Sequence, residues 1–386
     1  MTTRQLPVRA GPVAPPTIST TLLLPHERVA LASLGRWAER LDTRLTRCRD
    51  TLRTLSELAA TVSDIANNTA LVATHQGQPS TARTLCERQI QWQCRLARRS
   101  KTSWGLPHAL QPWINLGRLD ALSGKWEAAL ERFARLRELR DGGRIDLGPM
   151  CIGTRQCEAL SSTPDGLRRH LTTVYVVDSL RALLLNRRFA EAADFAWKVE
   201  LDCPAEPARL AVEASIIATC RLGDHASAEN LAAMALDRAR GWDRAVFQLR
   251  MAEVLGCAGE RVRAAEILSR SAAVLEGVSL GRKKKPDVLP ALVRFASACA
   301  EVDLHSEALD LARDTREAAR AGGDEVVEIE SLRILARLSP APQQWRDALG
   351  ELETATDYHR YRPERGHAGN PALQLLYERV LQFLGD

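Results

Sequence analysis

The stretch LQPWINLGRLDALSGKWEAALERFARL, Leu110 to Leu136, decides how the rest of the chain is read. Its apolar residues recur at helical spacing on both sides of Ser123-Gly124, which predicts two amphipathic helices joined by a tight turn. Gly117 is small enough to let the first helix approach its neighbour closely. Gly124 ends that helix in a turn, and Ala129 lets the second helix lie back against the first.

The same unit of turn and close-packing alanine recurs in HQGQPSTARTLCERQ with Ala82, NRRFAEAADFAWKV with Ala192, RLGDHASAENLAAMAL with Ala228, CAGERVRAAEILSRS with Ala264 and EVDLHSEALDLARDT with Ala308. Ala192, Ala228 and Ala264 are spaced 36 residues apart, and the remaining steps are longer, as a repeat plus an insertion would be. Seven residues before each turn stand Ala70, Gly117, Leu180, Ile216, Ala252 and Ala296, with Leu180 and Ile216 the two large exceptions.

Trp113, Leu116, Gly117, Ala129 and Phe133 together resemble the tetratricopeptide repeat, with Asp120 standing where that pattern has tyrosine. The resemblance implies an all-α fold: a right-handed α-solenoid of stacked antiparallel helix pairs, about six to seven of them, with helical caps. On this reading residues 1–20 are disordered and residues 21–60 form N-terminal capping helices. Repeats fill 61–323 with an insertion at 139–172 read as a loop holding one short helix, and 324–386 hold a degenerate repeat and a capping helix.

Bulk properties agree with a helical, water-exposed protein. The 386 residues are 45% hydrophobic and only 5% aromatic. Of 53 basic residues 47 are arginine, a bias that points to a GC-rich bacterial genome. A net charge of +5 with both signs interspersed gives no global field for nucleic acid, and no apolar run is long enough to suggest a membrane span. Nine scattered cysteines without CxxC pairs read as reduced thiols in a cytoplasmic protein. Neither a metal nor a cofactor is expected.

No HExxH, GxxxxGK[ST], GxGxxG or GxSxG occurs, so the chain reads as non-catalytic. The most chemistry-like segment, DYHRYRPERGH from Asp357 to His367, would offer His359 or His367 as a base with Asp357 or Glu364 to orient it, but reads first as a polar connector. Half of all lysines sit in GRKKKPD, Gly281 to Asp287, read as a solvated loop.

In tetratricopeptide arrays the first helix of each pair lines a concave face. Carried over position by position, that face holds Asn67, Asn68, Asn115, Arg118, Asp178, Arg181, Glu213, Arg221, Arg250, Glu253 and Arg294. An arginine in five successive units suits carboxylates, so the expected partner is a protein or peptide with acidic side chains or a free C-terminal carboxylate. A regulator sensing a peptide or metabolite, and an enzyme or accessory of a biosynthetic pathway, are the alternatives.

Overall fold

The structure, a computed structural model, describes residues 43, 55–75, 78–100, 106–148, 150–157, 164–200, 205–279, 289–322, 324–356 and 371–385. The capping helices expected over 21–60, the lysine run and the Asp357–His367 segment lie largely or wholly outside them. The described residues are all-α apart from one small hairpin. Helices pack in neighbouring pairs: α1 (Leu55–His75) with α2 (Pro79–Ser100), and α3 (Leu110–Leu122) with α4 (Trp126–Arg140). After the insertion come α6 (Pro164–Leu185) with α7 (Phe189–Glu200), and α8 (Ala205–Arg221) with α9 (His225–Arg238). Then follow α10 (Gly241–Cys257) with α11 (Arg261–Ser279), α12 (Leu289–Glu301) with α13 (His305–Gly322), and α14 (Glu325–Leu338) with α15 (Gln343–Thr356). The first helix of each pair from α3 onward also packs on the first helix of the next.

One turn joins the helices within these pairs. Gly124, Arg187, Gly223, Gly259 and Asp303 all take positive φ, between 57° and 88°. The next residue donates its N–H to a carbonyl five back: Lys125 to Asp120, Arg188 to Leu183, Asp224 to Thr219, Glu260 to Leu255 and Leu304 to Cys299. This left-handed C-terminal cap satisfies carbonyls that a helix end leaves open. Five residues beyond each turn stand Ala129, Ala192, Ala228, Ala264 and Ala308, all fully buried, as is Ala82 in the first pair. Leu180 and Ile216 are also fully buried, so the two large residues are accommodated at the seam. Gly117 meets the strictest limit: a Cβ there would lie 2.7 Å from Phe133 Cε1.

The insertion is more ordered than a loop. Strands Arg144–Asp146 and Cys151–Gly153 form an antiparallel hairpin in which Ile145 faces Ile152, both buried. A one-turn helix, α5 (Thr154–Cys157), follows, and α6 begins at Pro164, inside the segment read as insertion. Proline suits that first helical position, where its missing N–H costs nothing.

The last helix, α16 (Pro371–Gly385), caps the opposite end from the one its place in the chain suggests. It packs on α2 and α1, burying Leu376, Tyr377, Val380 and Leu384 in the core of the first pairs. Phe383 lies 6.2 Å from Trp92 between ring centres, and Arg95 donates to the carbonyls of Leu384 and Gly385 at the helix end. A cation there matches the negative end of the helix dipole.

Candidate binding face and cleft

The residues expected on the inner face fall into two differently built groups. Between α3 and α6 the structure gathers Asn115, Arg118, Asp178 and Arg181. Arg118 Nε lies 3.1 Å from both Asp178 oxygens and its Nη2 lies 2.9 Å from Oδ2. Arg181 approaches the same carboxylate at 3.9 Å. Asn115 Oδ1 accepts from Gln111 at 3.0 Å and from Arg118 Nη1 at 3.4 Å. The Asp178 side chain is only 2% exposed, whereas Arg118 keeps 38% and Arg181 31% of theirs in solvent. A buried carboxylate therefore fixes one guanidinium in a bidentate fork while two cations stay at the surface.

Further along, Glu213, Arg250, Glu253 and Arg294 form a continuous ion-pair ladder across α8, α10 and α12. Arg250 Nη2 lies 2.6 Å from Glu213 and its Nη1 2.6 Å from Glu253, while Arg294 Nη2 meets Glu253 at 2.6 Å. Arg209 adds a contact to Glu213 at 3.2 Å, and Glu301 one to Arg294 at 3.4 Å. Arg250 and Glu213 have no exposed side-chain surface, and Glu253 has 1%. The expectation that these three side chains meet a partner is corrected here, because burial has turned them into internal ties between successive helix pairs. Sequence spacing put them on the right helices but could not tell an exposed inner face from a sealed one. Burial disfavours the Arg250 charge, but Glu253 and Glu213 outweigh it and hold the guanidinium pKa above its ordinary value. Arg221 ends α8, half-buried.

Asp120, the departure from the repeat pattern, has its own explanation. It pairs with Arg83 at 2.5 Å and Arg132 at 3.6 Å, and Arg132 also lies 5.0 Å over the Trp113 ring. An acid at this position ties α2, α3 and α4 together where the repeat pattern has tyrosine.

Asn67 and Asn68 lie on α1, and Asn67 lines a cleft of about 480 Å³ that opens between α1, α3 and the start of α6. Ser63, Asp64 and Asn67 of α1 and Gln111 and Ile114 of α3 line it, together with His108 and His170. Asn68 donates to Asp64 at 3.0 Å, while Asn67 Oδ1 is buried and has no hydrogen-bond partner among the described residues. Burial lowers the pKa of His108. His170 is open to solvent along one side, yet the crowding cleft walls lower its pKa, helped by Arg118 and opposed by Asp178. Both rings are therefore neutral at neutral pH, each with one acceptor nitrogen. Neither histidine was singled out from the sequence. His170 lay in a segment read as loop, and only the proline at the start of α6 signalled that it sits on a helix.

The described cysteines are free thiols. Burial pushes Cys86, Cys157 and Cys299 up to about 12, and Cys220 is raised first by its hydrogen bond with Cys257 and then by burial. Raised thiols are poor nucleophiles at neutral pH, consistent with packing roles. Among the described residues, no group of three His, Cys, Asp or Glu side chains could hold a metal, and no helix is long and apolar enough to cross a membrane.

The fold and these side chains define an all-α protein of paired helices with two arginines gathered on a buried aspartate between α3 and α6. No protein-family model matches the sequence, and no curated protein shows significant similarity to it.

Proposed function

We propose that the chain is a non-catalytic scaffold or adaptor: a right-handed, tetratricopeptide-like α-solenoid that binds an acidic segment of a protein partner on the inner face of α3 and α6. The five equivalent left-handed turns, each followed by a buried alanine, and the packing of first helices on first helices support the repeat architecture.

The observation that carries the binding reading is the Arg118–Asp178 pair. A carboxylate without appreciable solvent exposure orients the guanidinium of Arg118, a side chain that retains more than a third of its surface, with Arg181 beside it. The site is therefore preorganised, with two guanidinium-bearing side chains reaching the surface beside one buried carboxylate, which favours a carboxylate-bearing ligand. Toward the other end of the row the same residue types are neutralised in buried pairs, so binding concentrates near α3 and α6.

A peptide panel graded from acidic to basic at constant length tests the reading by fluorescence anisotropy. Affinity is expected to rise with acidic content and to weaken as salt is added. Equal binding of acidic, neutral and basic peptides contradicts it.

A further inference from the structure

Cys220 and Cys257 stand at the C-terminal ends of α8 and α10, the first helices of two successive pairs. Each lies seven residues beyond a member of the buried Glu213–Arg250 pair, so two helical turns carry both thiols along the faces that already meet in that pair. The two share a hydrogen bond, and His225, which opens α9, brings its Nδ1 to 3.6 Å from Cys220 Sγ. Cys220 is 3% exposed, whereas Cys257 is only half-buried. A second thiol in contact with a partly exposed one can capture it once it is oxidised, before oxidation goes further.

We infer that Cys220 and Cys257 form an oxidation-sensitive pair, which a peroxide converts to a disulfide tying α8 to α10. Cys257 attacks first: its sulfur bonds to one peroxide oxygen, the O–O bond breaks, and the departing hydroxide leaves as water with the thiol proton. The sulfur, oxidised by two electrons, is then a sulfenic acid. Cys220 passes its proton to Nδ1 of His225 and displaces hydroxide from that sulfur, which leaves as water on taking the proton back. Two thiols and one hydrogen peroxide thus give one disulfide and two waters.

The hydrogen bond to Cys257, then burial and the Glu253 carboxylate, hold the proton on Cys220, with Arg221 opposing them. Closure is therefore slow near neutrality and quickens as pH rises.

The test uses the full chain carrying Cys151→Ser, which removes an exposed competing thiol. After hydrogen peroxide, the protein is alkylated in denaturant and digested with trypsin without reductant. Mass spectrometry should find the peptides Leu210–Arg221 and Met251–Arg261 joined with the loss of two hydrogen atoms, and released by dithiothreitol. Cys220→Ser should leave a sulfenic acid on Cys257 that dimedone traps, and Cys257→Ser should leave Cys220 reduced. Oxidation should raise the thermal midpoint of the parent but not of Cys257→Ser, since only the parent gains a cross-link. His225→Leu should slow closure about tenfold or more at neutral pH and less at higher pH. The linkage itself is read on the parent, so it does not depend on the variants folding. Recovery of both peptides as alkylated thiols, at peroxide doses that oxidise Cys151 in the wild-type protein, overturns the inference. So does preferential joining of either to another cysteine.

Discussion

Arg250 and Glu213 meet with no exposed side-chain surface on either, guanidinium to carboxylate at 2.6 Å, although 37 residues separate them in the chain. Together with Glu253 and Arg294 they tie three successive first helices through charge. Removing one partner of such a pair leaves the other buried and uncompensated. Arg250→Met is therefore expected to lower unfolding free energy by about 3–5 kcal/mol, measured by urea titration. The triple change of Arg250, Glu213 and Glu253 to apolar residues should cost less than the single one. A single-variant cost below about 1 kcal/mol would show that the ladder does not hold the pairs together.

The turns make an opposite pair of predictions. Arg187 and Asp303 hold positive φ with a side chain attached, at 57° and 66°. Replacing either with glycine should stabilise the protein by up to about 1 kcal/mol, whereas Gly223→Ala or Gly259→Ala should destabilise it by about the same amount. Thermal midpoints of the four variants check the sign at each position.

Close approach at the second pair can be tested by double-mutant cycle. Gly117→Ala places a methyl against the Phe133 ring and is expected to cost about 1–3 kcal/mol. Phe133→Leu opens a cavity by itself but should partly rescue Gly117→Ala, giving a favourable coupling energy. Additive costs would mean that the ring shifts freely.

Much of this scaffold was legible before any coordinates. The turn positions and the six alanines follow from spacing, because a tight turn and a close helix seam each admit few residue types. Pairings across the seam were not legible: Arg118 finds Asp178 some 60 residues on, beyond an insertion whose hairpin left no period to count by. The amphipathic pattern of α16 announces a buried face without naming what covers it, and so its return to α1 and α2 was missed. The cleft escaped for a related reason, since its two histidines come from a short helical turn and from the first turns of α6, neither of which belongs to the repeat.

The neutral histidines set a pH dependence. Both His108 and His170 have folded pKa values below the unfolded value near 6.5, so below that pH the unfolded chain takes up protons that the folded protein resists. Stability contributed by this difference is full above about pH 6.5 and declines as pH falls through it toward the lower folded values. The urea midpoint should therefore drop between pH 7.5 and 5.5, and the drop should shrink in His108→Gln and in the double variant with His170→Gln. An unchanged drop would assign the acid sensitivity to other groups.

Charge at Arg118 and Arg181 is the centre of the account, and affinity for an acidic peptide tests it most directly. Arg118→Gln and Arg181→Gln together remove two positive charges while keeping polar side chains beside Asp178. Arg261→Gln with Arg263→Gln removes the same number from exposed sites on α11, away from the α3–α6 site. With folding of both proteins verified by circular dichroism, the first pair should weaken binding about tenfold or more and flatten its salt dependence. The second should change it by less than about twofold. Equal losses from both pairs would reduce the attraction to net charge and contradict a site at Arg118 and Asp178.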